Sequence, residues 1–323
     1  ITNLIPSFGA AAREAQEEIQ YRAPKMYKSQ NRALTTGDYE NFLLKEYPFI
    51  ETMSVWGGEY NEPPVYGKIF IAIKPSHTEF LSDNLKAKIK DDLIKKYNVV
   101  TVIPEIVDPT YLYVLFDVSV IFRKDSTIYT ETDINNKVKN DISLYSSSEL
   151  QKFNIPLYHS SMVSLVKSSD VSIVSALIDI NLMMKVNPRV NISERWVLNF
   201  NNALTTGSLY SSYYNSGVTG STAKQGIYDN NGILYTKNIL TGEVVFSNVG
   251  TVDYETGEVI FTILPYSLPS DSLDIRIYAT PVSENVYPKN NQILVIDSSA
   301  ERQDVNRTIG IKVSTTNVSK EYK

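Results

Sequence analysis

The chain has 323 residues, 42% of them hydrophobic, with a formal net charge of −5 and no cysteine. That length suits about two domains of ~100–200 residues, each able to bury a core without disulfides or metal. The missing cysteines exclude a disulfide framework, a thiol nucleophile and cysteine metal sites, and the acidic balance argues against nucleic acid.

No apolar run approaches the ~20 residues a membrane helix needs, so no membrane partner is expected. The chain opens on Ile1 instead of Met, without a charged segment leading into an apolar one. It therefore reads as a fragment or processed product with no signal peptide, whose preceding region carries further function.

Ala10–Gln20 has the propensity of a helix, expected to end before Pro24. Thr35 and Asp38 then match the capping-box spacing, in which each side chain satisfies a free backbone N–H at the other residue. Tyr39, Phe42, Leu43 and Tyr47 follow on one helical face, and Pro48 stops the helix. Short strands are expected at Glu51–Trp56 and Lys68–Ile73. Ser82 is a candidate cap for a helix over Asp83–Tyr97, with Leu85, Ile89 and Leu93 on one face.

Strands follow at Val99–Val107 and Tyr111–Phe122. The second places Leu112, Val114, Phe116, Val118, Val120 and Phe122 on one side with a period of two. Thr130 and Asp133 form a second capping box, heading a helix that presents Ile134, Val138, Ile142 and Tyr145. A short helix near Met162–Lys167 precedes a strand in which Ile178, Ile180, Leu182, Met184 and Val186 alternate with Asp179, Asn181, Met183 and Lys185.

Glycine use changes sharply along the chain: none occurs between Gly67 and Gly207, and nine of the 14 lie from Gly207 onward. A glycine-poor stretch suits α+β packing, and a glycine- and asparagine-rich one suits strands joined by tight turns. The expected organisation is a helical lead-in over 1–24, an α+β domain over 25–186 and a β-rich domain over 187–323. The last is expected as a mostly antiparallel sandwich or partly open barrel.

Within it, Thr241–Phe246 echoes Thr256–Phe261, each with a glycine where a turn needs positive φ, and Asp229–Leu234 reads as another turn. The five letters ALTTG occur at 33–37 and again at 203–207. The second copy has Ser208, not an acid, three residues after Thr205, so the echo reads as coincidence.

Catalytic chemistry finds little support. His77 and His159 lie in loops before helices, and no serine sits in a nucleophile elbow. Two histidines without cysteine give no metal-ligand spacing. The acidic pairs Glu17–Glu18 and Asp91–Asp92 read as solvated helix faces, as do Lys86, Lys88, Lys90, Lys95 and Lys96. Gly57–Gly58 lacks the spacing of a dinucleotide fingerprint. The 22 tyrosines suit half-buried strands and protein interfaces alike.

The stretch Ala23–Ser76 resembles the baseplate J-like family of contractile tails. The resemblance rests on Ala23–Pro24, Asn31, Arg32 and the run to Thr35, Asp38–Tyr39, Tyr47–Pro48, Gly57–Gly58, Pro63–Pro64, Gly67 and Lys74–Pro75. It implies a structural subunit of a phage-tail baseplate wedge, in the virion and assembled in the host bacterial cytoplasm. It implies self-association as a dimer within an inner ring, contacts with other wedge and hub proteins, and a part in triggering sheath contraction. It implies no enzyme activity, no cofactor and no metal, and makes the motif residues structural. A receptor- or glycan-binding tail protein using the Tyr- and Asn-rich β region is the alternative, with a cell-wall hydrolase as a third reading.

Overall fold

The computed structural model describes residues 16–30, 32–61, 63–97, 102–215, 224–268, 274–296, 302–304, 307–309 and 311–317. The chain divides into two compact units. The first is Ile1–Thr110 with Lys152–Asn154 and Lys289–Ile293, and the second is Tyr111–Gln151, Ile155–Pro288 and Leu294–Lys323.

The first unit holds helices α1 (Gln16–Ser29), α2 (Thr36–Glu46) and α3 (Asp83–Lys96) with strands β1 (Ile50–Gly57), β2 (Lys68–Pro75) and β3 (Ile103–Val107). β1 runs antiparallel to β2, and β2 runs parallel to β3. A parallel pair cannot be closed by a tight turn, and α3 supplies the crossover. Tyr39, Phe42 and Leu43 of α2 share a core with Ile71 and Ile73 of β2 and with Ile89 and Leu93 of α3.

Two elements depart from the local sequence pattern. The helix expected to end before Pro24 runs through it to Ser29. Proline removes one helical N–H, and the flanking bonds carry the helix past it. Residues 10–15 lie outside the described residues. Ser82 starts α3 without a side-chain cap; its carbonyl accepts from the N–H groups of Leu85 and Lys86, each at 3.0 Å.

The second unit is built on a 12-stranded sheet. Its strands are β4 (Thr110–Phe122), β5 (Ile173–Val186), β6 (Glu194–Asn199), β7 (Tyr210–Ser211), β8 (Tyr214–Asn215), β9 (Lys224–Asn230), β10 (Ile233–Asn238), β11 (Val244–Asp253), β12 (Glu258–Ile263), β13 (Ile275–Ala279) and β14 (Gln292–Ile296). The short strands β15 (Arg302–Asp304) and β16 (Arg307–Ile309) pair separately, and β17 (Ile311–Asn317) completes the large sheet.

The order is β14-β4-β5-β13-β7-β9-β10-β11-β12-β6, with β17 beside β4 and β8 beside β9. Among the described residues the path is open, not a closed barrel, and the class is α+β. Every second residue of β4 from Leu112 to Phe122 is at most 2% exposed. These six meet Ile134, Val138 and Ile142 of helix α4 (Glu131–Tyr145), and Met162 and Val166 of helix α5 (His159–Ser169), in one core.

Packing divides the chain at Thr110–Tyr111, whereas glycine use changes near residue 187. The two report different things. Glycine marks tight turns, while β5, before that change, pairs antiparallel with β13, beyond it, from Val186↔Ile275 to Leu182↔Ala279.

Candidate interaction surfaces

The motif segment is locally determined. Thr35 Oγ1 accepts from the Asp38 N–H at 3.3 Å, and Asp38 Oδ2 accepts from the Thr35 N–H at 2.9 Å and the Leu34 N–H at 3.2 Å. Tyr39 is fully buried, and Phe42 stacks on Tyr97 at 4.0 Å. The α2 helix ends at Tyr47, before the exposed Pro48.

Two hydroxyls tie α2 to α3. Tyr47 donates to Asp92 at 2.6 Å, and Tyr97 donates to Glu46 at 2.6 Å. Burial first, and then these carboxylates, push both tyrosines up, Tyr97 to about 12. Asp92 is thus a specific acceptor and not merely part of a solvated face. Glu17 is exposed, and the Glu18 side chain lies outside the described residues.

Gly58 is a point of close approach: a Cβ there would stand 2.0 Å from the Val65 carbonyl oxygen. The Gly58 carbonyl accepts from Val65 N–H at 2.8 Å and Asn61 N–H at 3.2 Å. At Gly57 a Cβ would meet the Glu59 carboxylate. Pro64 is exposed, and Gly67 has φ +76°. Arg32 is exposed and donates to Gln30 at 2.9 Å; Asn31 lies outside the described residues. Among the described motif residues, Thr35 and Asp38 form a cap, Tyr39 packs in the core, and Gly58 and Gly67 meet a close approach and a positive φ.

The second ALTTG is a different structure. The Thr205 N–H donates to the Thr280 carbonyl, and Gly207 turns at φ +77° where Gly37 is helical. The Thr-Gly-Glu echo, by contrast, is one turn used twice. Asn238 and Asp253 each accept from the N–H two residues on, through their side chains. Gly242 and Gly257 each donate four residues back at positive φ, and Thr241 and Thr256 each accept from the following glutamate N–H.

His77 is exposed in a loop. His159 lies 3.2 Å from the Ile178 carbonyl through Nε2 and 3.1 Å from Glu284 through Nδ1. Both contacts fasten α5 to its surroundings. Among the described residues no three His, Asp or Glu side chains gather as a metal site would require.

Two features of the second unit bear on contacts with other molecules. An open groove of about 650 Å³ is lined by Asp125, Ile128, Tyr129, Lys137, Asp170 and Val171 among others. Ile128 is 94% and Val171 98% exposed, while Lys137 and Asp170 pair at 3.1 Å. Burial raises the Asp170 carboxyl, but the Ser172 hydroxyl and N–H and the Lys137 ammonium outweigh it, so the net shift is downward.

The other feature is a row across the sheet. Tyr113 of β4 faces Met183 of β5, Met183 faces Tyr278 of β13, Tyr278 faces Tyr210 of β7, Tyr210 faces Tyr228 of β9, and Tyr228 faces Tyr235 of β10. Residues directly opposite on neighbouring strands share a face, so five tyrosines and one methionine stand in line. The sequence showed an excess of tyrosine but not this alignment, because the strands that carry it are distant in the chain.

Comparison with known proteins gives matches to both units. Residues 35–107 match the family described as baseplate structural protein gp6, C-terminal domain I, and residues 110–185 match baseplate structural protein gp6, C-terminal domain III. The step between the two matches coincides with the division between the units. Both matches bear the gp6 description, and neither bears the baseplate J-like one.

The chain is 20% identical, over 340 aligned residues and 91% of its length, to baseplate wedge protein gp6 of Enterobacteria phage T4. It spans about half, 51%, of that relative. A solved structure, the cryo-EM structure of the anti-feeding prophage baseplate, 6-fold symmetrised, has 14% identity and a TM-score of 0.39, over 52% of this chain and 38% of that one.

Proposed function

We propose that this chain is a structural subunit of the baseplate wedge in a contractile phage tail, acting through contact surfaces and not through catalysis. The observation that carries the reading is the pair of consecutive gp6 family matches on the two packed units. Side chains such as Ile128 and Val171, exposed beside a groove, suit a protein that meets others. In the finer form of the proposal the chain self-associates as a dimer within an inner ring around the hub. It also joins other wedge proteins and takes part in the rearrangement that triggers sheath contraction.

Closed rings of identical subunits commonly include a two-fold contact, and a stable one buries ~1,200–2,000 Å² in total. Light scattering coupled to size exclusion tests the self-association. The expected mass is about twice 36.4 kDa at micromolar concentration. A mass that stays monomeric would remove the dimer. Failure of the chain to enter wedges reconstituted from purified baseplate proteins would remove the structural role itself.

A further inference from the structure

The tyrosine row is flanked by cations that the proposed role leaves unused. Two residues along from the row, Lys185 of β5 faces Arg276 of β13, and Lys237 of β10 faces Gly226 of β9. Side chains alternate along a strand, so these lie on the tyrosine face, as does Lys224, two residues before Gly226. The Lys185 Nζ stands 3.8 Å from the centre of the Tyr113 ring, Lys237 Nζ 3.8 Å from that of Tyr228, and Lys224 Nζ 4.4 Å from that of Tyr213. Arg276 reaches Asp274 at 3.5 Å.

Among the described residues none of the three lysines is paired with a carboxylate. Lys68, Lys86 and Lys137 each are, at 2.6–3.1 Å. The middle of the row is closed: Met183 and Tyr278 are at most 1% exposed, and Tyr210 stacks on Tyr278 at 4.8 Å. The result is a partly buried aromatic floor with ammonium groups over its edges, on a chain whose net charge is −5.

We propose that this face is a docking surface for an acidic protein partner, whose carboxylates pair with Lys185, Lys237 and Lys224. Charge complementarity selects the partner. An ammonium over a ring keeps its cation–π attraction and has its outward side open to a carboxylate. The tyrosines fix the lysines in place, which lowers the ordering cost of binding. From Lys185 to Lys237 there are four strand spacings, ~19 Å, and the partner's acids are to be found at about that separation. A single-stranded nucleic acid or a sugar would need bare ring faces to stack on. Here ammonium groups or a second ring cover faces of Tyr113, Tyr228 and Tyr278. The proposal goes beyond a baseplate role and does not depend on it.

The test uses the full chain and three probes: a fluorescent oligoglutamate peptide, a single-stranded DNA oligonucleotide and a neutral oligosaccharide. The peptide is expected to bind, and to bind less tightly as salt rises. Lys185→Glu with Lys237→Glu is expected to weaken it about tenfold, because two attractions become repulsions. Lys28→Glu with Lys88→Glu, at exposed positions of the first unit, is expected to leave it unchanged.

Thermal melting checks that the reversed chain folds. If it does not, Lys185→Gln with Lys237→Gln takes its place and is expected to weaken binding in the same direction. No binding of the peptide overturns the proposal, as does equal loss in the control pair. Binding of the oligonucleotide or sugar in preference to the peptide, lost with Lys185 and Lys237, assigns the face to that ligand and overturns it too.

Discussion

At the scale of single residues, the motif segment owes its definition to backbone geometry. Thr35 and Asp38 exchange hydrogen bonds across the first turn of α2. Removing the hydroxyl takes away the side-chain acceptor of the Asp38 N–H and leaves it only the Thr35 carbonyl at 3.0 Å, so Thr35→Ala is expected to cost ~0.5–2 kcal/mol in denaturant unfolding. If stability held while assembly failed, Thr35 would be an interface residue and not a cap. Gly58 is held by sterics. Because a Cβ would stand 2.0 Å from the Val65 oxygen, Gly58→Ala must shift backbone and is expected to cost ~1–3 kcal/mol. An unchanged midpoint would mean the 58–65 loop relaxes freely. The cap was legible in the sequence because its two partners stand only three positions apart. The close approach at Gly58 was not, because its obstacle is seven residues away in a fold of the loop.

At the scale of elements, α2 and α3 are coupled by Tyr47–Asp92 and Tyr97–Glu46. The native state holds the Tyr97 proton more tightly than the unfolded chain does, since its folded value is raised from 10.0 to about 12, and Tyr47 moves the same way. The stability this contributes is fully present below pH 10 and is lost as pH rises through about 12. The melting temperature of the first unit is therefore expected to hold up to near pH 10 and fall above it. Tyr97→Phe should flatten that fall, and an equally steep fall in this variant would assign it to other groups.

The inner face of β4 offers a simpler test. Phe116 is 2% exposed within the large core, so Phe116→Ala is expected to cost ~3–5 kcal/mol. A loss below ~1 kcal/mol would mean that the α4–α5 layer collapses onto the gap. The period of two in β4 and the helical stripe of α4 were readable beforehand, since burial of a whole face imposes them. The extension of α1 past Pro24 was not readable, because a proline weakens a helix without always ending it.

At the scale of the whole molecule, the two main cores share no buried residue among the described residues. One gathers Tyr39, Phe42 and Ile89, the other Phe116, Ile134 and Leu182. Calorimetry is expected to resolve two unfolding transitions, with Thr35→Ala lowering one and Phe116→Ala the other. A single transition moved by both substitutions would show that the units unfold as one.

The sequence by itself determined what depends on near neighbours: the two capping boxes, the one-sided strand β4, the turns at Gly242 and Gly257, and the α+β class. Each is settled within a few residues, by hydrogen bonds to the adjacent turn or by which side of an element must avoid water. The tertiary structure alone decided what depends on pairing between distant segments. That includes the antiparallel match of β5 with β13, the division at Thr110 and the contact of Tyr47 with Asp92. It also includes the line of tyrosines from Tyr113 to Tyr235 with lysines above them. Such alignments follow from strand order and register, and strand order is fixed by the packing of the whole sheet and not by any local pattern.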